Sequence, residues 1–274
     1  MITAEQREKE RCLRASVHAL GRVLVAFSGG VDSTYLLNIA HDELGASALA
    51  VISTSPLVPA REQDAARAFC EQEGIELIVC DTAPLEVAGF AENTPERCYL
   101  CKIALMATFK KRARERGITQ VLDGSNIDDT GDWRPGLRAV RELGIKSPLI
   151  ECGFSKEDIR ACAQAAGLEV WNKPSAACLA SRIKTGEAIT PERLARIDAA
   201  EWYLQEQSLR QVRVRLLSGG PSGDQARIEA DAEGCALLDA SPELRERVRT
   251  HLLSLGFGKV EPGITLYRTG SMNR

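Results

Sequence analysis

The sequence predicts an α/β protein, with a doubly wound parallel sheet followed by a smaller C-terminal α+β domain. Strand-like and helix-like segments alternate through the first half of the chain, which is typical of βαβ units. The first two strand-like runs, VLVAF and ALAVIS, are apolar throughout, as expected of strands that helices cover on both faces. The 274 residues, 44% hydrophobic and 27% charged, suffice for two globular domains, which we place at 1–170 and 171–274.

In the first domain, each element follows from a local pattern of apolar and polar residues. A charged N-terminal helix comes first. The predicted strands of the parallel sheet lie at 22–27, 47–53, 75–80 and 119–123. The predicted helices between them lie at 33–44, 60–73 and 98–116. Ser155 and Asp158 form a capping pattern that starts a further helix, which closes this domain.

In the second domain, Thr190 is the predicted N-cap of a helix that begins at Pro191 and runs to residue 207. The remaining predicted elements are strands at 211–217, 225–230 and 258–268 and a helix at 242–254. Strands and helices of this kind, without βαβ alternation, predict a small α+β domain.

Composition narrows the classes of function. The formal net charge is −3, whereas a protein that binds nucleic acid mainly through phosphates carries a strong basic excess. This balance favours a small-molecule substrate and no nucleic acid partner. No apolar run approaches the roughly 20 residues that span a bilayer, and the N-terminal segment is charged. We therefore expect no membrane association and a cytoplasmic location.

The most informative segment is VLVAFSGGVDS, a buried strand that leads through a Gly-Gly turn into a helix. The glycines allow close approach of a ligand, and the helix N-terminus offers free N–H groups, so the segment predicts a pyrophosphate-binding site. Its predicted nucleotide-binding residues are Ser28, Gly29, Gly30, Val31, Asp32 and Ser33. Asp32 is in addition a candidate magnesium ligand and catalytic residue. The string SGGVDS resembles the PP-loop of ATP pyrophosphatases, which cleave ATP between the α and β phosphates.

Two other predicted strands end in polar residues on the same edge of the sheet. Ligands of doubly wound sheets bind beyond the carboxyl ends of the strands, so these residues are expected near the Gly-Gly turn. The candidates for adenylate or magnesium contacts are Ser53, Gly124, Asn126, Asp128 and Asp129. Taken alone, the GSNIDD string is equally compatible with an ordinary turn.

Nine cysteines are many for a reducing compartment. Cys98 and Cys101 are three residues apart near the start of a helix, so their side chains share one face. Two thiolates there suit a metal ion or cluster with a third ligand from elsewhere, for which Cys178 is the best candidate. A redox pair or two packed thiols are the alternatives. Six other cysteines lie in regular patterns and are predicted to be packing residues: Cys12, Cys70, Cys80, Cys152, Cys162 and Cys235.

Two further motifs carry candidate site residues. Cys178 lies in the segment PSAACLASR, where Arg182 and Lys173 would lower the pKa of its thiol and make it a nucleophile; a plain loop cysteine is the alternative. Arg213 and Arg215 alternate with valines along a predicted strand and so share one face. They could hold a phosphate or carboxylate, or they could belong to a solvated strand face.

Together, SGGVDS, ERCYLCK, GSNIDD and KPSAACLASRI resemble the LarE family of ATP-dependent sulfur transferases over nearly the whole chain. The resemblance implies adenylation of a carboxylate of pyridinium-3,5-biscarboxylic acid mononucleotide and its conversion to a thiocarboxylate. That product feeds the nickel-pincer nucleotide cofactor of lactate racemase. The implied cofactors are ATP, Mg²⁺ and a 4Fe-4S cluster on Cys98, Cys101 and Cys178, the last also being catalytic.

The same resemblance implies residues that bind the mononucleotide, and a homo-oligomer, with a hexamer among the expected states. The implied substrate-binding residues are Ser181, Arg182, Glu201, Arg213, Arg215 and Asp231. Three other functions compete with this one. A PP-loop tRNA thiolase would share the three cysteines, an amide-forming enzyme of the NAD synthetase type would need no reactive cysteine, and a nucleotide-sensing module would release no pyrophosphate.

Overall fold

The computed structural model of the chain describes residues 2–131, 135–175, 177–219 and 223–267. The chain divides into two compact units. The first contains residues 1–84 and 98–176, and the second contains residues 85–97 and 177–274. Residues 85–97 thus belong with the C-terminal part of the chain, although they precede a helix of the first unit. The predicted division at residues 170 and 171 stays a prediction.

A four-stranded sheet forms the centre of the first unit. Its strands are β1 (Val23–Ala26), β2 (Ala48–Thr54), β3 (Leu77–Asp81) and β4 (Gln120–Leu122). They are all parallel, in the order β3-β2-β1-β4. The chain moves outward from β1 to β3 and then returns to place β4 on the other side of β1. The strand order therefore reverses between β1 and β4, the position where such sheets bind ligands.

Seven helices of the described chain belong to this part of the fold. They are α1 (Ala4–Leu20), α2 (Val31–Leu44), α3 (Ala60–Gln72), α4 (Arg97–Glu115), α5 (Pro135–Glu142), α6 (Pro148–Glu151) and α7 (Lys156–Ala165). The predicted strands and helices of this region are confirmed to within a few residues, whereas α5 was not predicted. Ser155 caps α7 through a reciprocal capping box with Asp158, as predicted.

Alternate side chains of the central strands pack into two separate cores, one on each face of the sheet. Val23 and Val25 of β1 lie in one core with residues of α1, α2 and α7. Leu24 lies in the other core, with Met106 and Phe109 of α4. Helices thus cover both faces, which is why β1 and β2 read as continuous apolar runs. The doubly wound α/β fold is confirmed.

The prediction that Cys12 and Cys152 are packing residues is wrong, because the two form a disulfide. Cys12 lies on α1 and Cys152 follows α6, with Cα atoms 5.8 Å apart. A separation of 140 residues hides such a pair from any local pattern. Cys70, Cys80, Cys162 and Cys235 are free thiols. None of the described helices combines the length and the apolar character needed to cross a bilayer.

The second unit contains a mixed three-stranded sheet of β5 (Val212–Leu217), β6 (Gln225–Ala230) and β7 (Lys259–Leu266). Strands β5 and β6 are antiparallel, and β6 and β7 are parallel. Its helices are α8 (Pro191–Glu206), α9 (Ala232–Ala240) and α10 (Pro242–Ser254). Thr190 caps α8 as predicted, whereas α9 was not predicted. The predicted strand at 258–268 extends past the described residues at its end.

Candidate functional site

The Gly-Gly turn lies between β1 and the N-terminus of α2. Gly29 has φ +68°, a conformation that glycine adopts without strain. Gly30 is the N-cap of α2 and provides no side chain to cap the helix. Two hydroxyls lie beside this turn, those of Ser28 and Ser33, and their Oγ atoms are 3.0 Å apart. The helix thus presents backbone N–H groups and hydroxyls at one point, an arrangement that suits a phosphate group.

Gly124, at the end of β4, lies against the first turn of α2. A Cβ atom there would come within 3.0 Å of the Ser33 nitrogen and 3.1 Å of its Cα. Backbone atoms of a buried helical turn cannot move aside as a flexible side chain does. Glycine at this position therefore brings the polar end of β4 next to the Gly-Gly turn.

Gly124→Ala is expected to displace the first turn of α2 and to weaken nucleotide binding, with a loss of stability of about 1–3 kcal/mol from overpacking. The measurements are the affinity for ATP and the thermal midpoint. Gly131→Ala is the matched control, because a Cβ at Gly131 would meet nothing within 4 Å. Equal nucleotide affinity in the two variants would contradict the close approach of β4 and α2.

Asp32, in the first turn of α2, has both carboxylate oxygens engaged. Its Oδ2 forms an ion pair with the Nζ of Lys156, the first residue of α7. Its Oδ1 accepts a hydrogen bond of 3.4 Å from the Asn126 amide. The Asn126 side chain also accepts from the Asp128 backbone N–H at 3.0 Å, and Asp129 accepts from the Asn126 backbone N–H at 3.0 Å. The predicted residues of β1, α2 and β4 thus lie together.

A second lysine lies at this site and contacts the Gly-Gly turn. Lys173 donates to the Gly29 carbonyl at 3.1 Å, and its Nζ is 2.6 Å from the Glu62 carboxylate of α3. Arg160 fixes the backbone beneath it by donating to the carbonyls of Trp171 and Lys173 at 2.6 and 2.8 Å. The sequence interpretation gave Lys173 another role, as a neighbour of Cys178. Its observed position places a cation beside the Gly-Gly turn.

Asp123, the last residue before Gly124, is a buried carboxylate that the sequence interpretation missed. It accepts hydrogen bonds from the hydroxyls of Ser125 and Ser147 at 2.8 and 2.7 Å. Lys102 of α4 lies 3.4 Å from its Oδ2. Because Lys102 follows Cys101 directly, this pair fixes the start of α4 relative to the end of β4. Ser53, at the end of β2, pairs its hydroxyl with that of Thr82 at 2.6 Å.

Cys98 and Cys101 lie in the first turn and a half of α4, as predicted, with Cys98 exposed and Cys101 half-buried. Neither cysteine forms a disulfide, and the same holds for Cys178. Cys98 and Cys101 belong to the first unit and Cys178 to the second. Among the residues with described positions, no three His, Cys, Asp or Glu side chains form a group that could hold a metal ion. The three-cysteine cluster therefore stays a prediction, although thiolates at this spacing suit iron.

In the second unit, the segment after Cys178 is held by a buried ion pair. Arg182 donates from Nε and Nη2 to the two carboxylate oxygens of Glu201 at 2.8 and 2.9 Å. Its Nη1 donates to the backbone carbonyls of Ala177 and Cys178 at 2.6 and 3.1 Å. Burial works against the charge of Arg182, but the Glu201 carboxylate outweighs burial and raises the pKa of Arg182. This fork fixes the backbone on which Cys178 stands.

Arg213 and Arg215 of β5 are each only 4% exposed, so the alternative of a solvated strand face is wrong. Arg215 forms an ion pair of 2.8 Å with Glu229 and donates to the Ser181 carbonyl at 3.1 Å. Burial, reinforced by the positive charge of Arg182, lowers the pKa of Arg213. Arg182 and Arg215 therefore both bind backbone carbonyls of the segment around Cys178, and Arg213 is close enough to Arg182 for the two charges to interact.

Of the predicted substrate-binding residues, Ser181, Arg182, Glu201 and Arg215 are brought together by direct contacts. The carboxylate of Asp231 has a local role, since it caps α9 by accepting from the Gly234 N–H at 2.8 Å. Asn93 was missed, although it ties residues 85–97 to the loop after Ile183. Its amide donates to the carbonyls of Lys184 and Glu187 at 2.8 and 3.0 Å. An isolated asparagine in a loop gives no signal for such a contact.

A buried strand, the SGGVDS turn and a helix N-terminus at the reversal point of a parallel sheet define a protein with a PP-loop nucleotide-hydrolase-like fold. No family model matches the chain. The chain is 36% identical over 266 residues to the pyridinium-3,5-bisthiocarboxylic acid mononucleotide synthase of Lactiplantibacillus plantarum, covering 97% of this chain and 94% of that protein. The chain therefore belongs to the LarE family, as its motifs predicted.

Two other proteins are also similar to this chain. An uncharacterized protein of Synechocystis is 38% identical over 262 residues, 96% of each chain. One subunit of the glutamine-hydrolyzing GMP synthase of Thermoplasma acidophilum is 28% identical over 188 residues, 64% of this chain and 60% of that protein. The Lactiplantibacillus and Synechocystis proteins match the chain over almost its entire length, whereas the GMP synthase subunit matches less than two thirds of it.

Proposed function

We propose that the protein is an ATP-dependent sulfur transferase that converts a carboxylate of pyridinium-3,5-biscarboxylic acid mononucleotide to a thiocarboxylate. The observation that supports the proposal is the Gly-Gly turn at 28–33, whose N–H groups and hydroxyls suit a phosphate group, with the Asp32 carboxylate and two lysines beside it, in a chain of this family. The product would serve the nickel-pincer nucleotide cofactor of lactate racemase. The oligomeric state and the cytoplasmic location stay predictions.

The first step is adenylation. A carboxylate oxygen of the substrate attacks the α-phosphorus of ATP, and the bond to the pyrophosphate breaks. The N–H groups at the start of α2 and the hydroxyls of Ser28 and Ser33 would hold the phosphates. Asp32 offers the hard carboxylate oxygens that Mg²⁺ prefers, and Mg²⁺ there would neutralise charge on the leaving pyrophosphate.

The second step replaces the adenylate with sulfur. The acyl carbon accepts a sulfur nucleophile and AMP leaves, so the sulfur must be held close and in a nucleophilic state. Cys98, Cys101 and Cys178 would hold a 4Fe-4S cluster, which supplies an iron with an open position for an extra sulfide. Arg182, Arg213 and Arg215 of the second unit are the proposed cations for the substrate phosphate.

The test is a reaction of anaerobically purified protein with Mg·ATP and the pyridinium mononucleotide. We expect pyrophosphate release. We also expect mass spectrometry to show that one carboxyl oxygen of the product has been replaced by sulfur. Unmodified tRNA in place of the mononucleotide should yield no thiolated nucleoside. Thiolation of tRNA instead would favour the thiolase alternative, and pyrophosphate release without any sulfur product would favour an amide-forming enzyme.

Iron and acid-labile sulfide test the cluster separately. We expect both in the wild-type protein, and we expect Cys98→Ser to lose them while Cys235→Ser keeps them. Iron that survives the loss of Cys98 would contradict the cluster on these residues. Dehydroalanine at position 178 after turnover would show that Cys178 gives up its own sulfur.

A further inference from the structure

The contact between Lys156 and Asp32 is the strongest feature of the site that the proposed reaction does not use. The ammonium group of Lys156 contacts the carboxylate of Asp32, the residue proposed to hold Mg²⁺. Asn126 occupies the other oxygen of that carboxylate. The Lys156 and Asp32 side chains are 32% and 22% exposed, so the pair is accessible to a ligand from solvent. A lysine thus stands at the oxygen that Mg²⁺ would need.

The backbone of Lys156 is fixed, so that only its side chain is free to respond to a ligand. The Lys156 N–H donates to the Asp128 carboxylate at 2.8 Å. Asp158 completes the cap of α7, and Lys9 of α1 pairs with it at 2.8 Å. Burial works to raise the pKa of Asp158, but hydrogen bonds from Lys9 and Ser155 outweigh it and lower the pKa to about 2. This anchor therefore remains charged at neutral pH and keeps the start of α7 beside α2.

Two cations cannot share one carboxylate oxygen without strong repulsion. We propose that Lys156 is a further nucleotide-site residue that holds Asp32 in the nucleotide-free protein and moves to the phosphate chain when Mg·ATP binds. This inference rests on the proposed function. The ammonium group exchanges a carboxylate for phosphate oxygens, so it keeps an anionic partner in both states. As a compact charge it would stabilise the negative charge that develops on the pyrophosphate.

The exchange predicts effects of opposite sign on two measurements. Lys156→Met removes the competitor at Asp32, so nucleotide-free protein should bind Mn²⁺ alone about fivefold more tightly, the worth of a half-exposed ion pair. The same variant loses a phosphate ligand, so its rate of pyrophosphate release should fall about a hundredfold, as when one transition-state donor is removed. If Lys156 had a role in folding alone, the substitution would lower both the Mn²⁺ affinity and the rate of pyrophosphate release. Lys156→Arg should restore most of the rate.

The matched control is Arg11→Met, which removes the cation of an exposed ion pair with Glu8 on α1 and touches neither Asp32 nor the start of α7. It should leave both Mn²⁺ affinity and pyrophosphate release unchanged. Circular dichroism and thermal melting establish that each variant is folded. Mn²⁺ binding is followed by the electron paramagnetic resonance signal of the free ion, and it needs neither substrate nor turnover.

Unchanged or weaker Mn²⁺ binding by Lys156→Met would overturn the proposal, as would undiminished pyrophosphate release. Both results would leave the proposed function intact, because the wild-type protein would still consume Mg·ATP. A wild-type protein that neither binds ATP nor releases pyrophosphate would contradict the proposed function itself. Lys156 would then have no phosphate chain to which it could move.

Discussion

Cys178→Ser is expected to reduce formation of the thiocarboxylate by at least about a thousandfold, the scale on which loss of a nucleophile acts. A serine hydroxyl supplies no sulfur and is a poor ligand for iron. Pyrophosphate release in the presence of the mononucleotide should persist, because the turn at 28–33 that is proposed to bind the phosphates belongs to the first unit. The two products are measured in one reaction, by a pyrophosphate assay and by mass spectrometry.

The contacts around Cys178 make this substitution informative. Arg182 binds the backbone carbonyl of Cys178, a contact that serine preserves. Cys235→Ser is the matched control, since Cys235 is a half-buried thiol of the same unit. It should retain thiocarboxylate formation. Full sulfur transfer by Cys178→Ser would exclude Cys178 both as the sulfur source and as an essential ligand.

The fold could be predicted because its signals are local. Continuous apolar runs mark β1 and β2, and capping residues mark α7 and α8. The Gly-Gly turn could be located for the same reason, since Gly29 and Gly30 follow shortly after β1. Parallel strands then bring Gly124 and Asn126 to the same edge, because the carboxyl ends of β1 and β4 are neighbours.

The remainder of the site depends on contacts between distant segments, which no local pattern encodes. Lys156 reaches Asp32 across 124 positions of the sequence, and Lys173 reaches Gly29 across 144. A lysine that follows a helix N-cap is expected to be an ordinary surface residue, and only the folded structure shows that Lys156 contacts Asp32. The Cys12–Cys152 disulfide was missed for the same reason. The predicted alternation of Arg213 and Arg215 on one face did not show that both are buried.

Glu201→Ala is expected to cost about 3–5 kcal/mol of stability, because it leaves the Arg182 guanidinium buried without its counter-charge. Both side chains of this pair are less than 5% exposed. Glu201 also accepts the Val214 backbone N–H of β5 at 3.0 Å, so a second buried donor loses its acceptor. Urea denaturation, followed by a signal from the second unit, measures the loss. Glu201→Gln keeps an acceptor oxygen and should cost less.

The matched control for this prediction is Glu246→Ala in α10 of the same unit. Glu246 pairs with Arg249, but both side chains are more than half exposed, so solvent screens the pair and no measurable change is expected. The difference between the two variants follows from burial, since each removes one carboxylate that faces an arginine. A Glu201→Ala protein as stable as Glu246→Ala would mean that water enters to solvate Arg182. In that case the Arg182–Glu201 fork could not be what fixes the backbone of Cys178, and the segment would need another anchor, for which the Arg215 contact with the Ser181 carbonyl is the candidate.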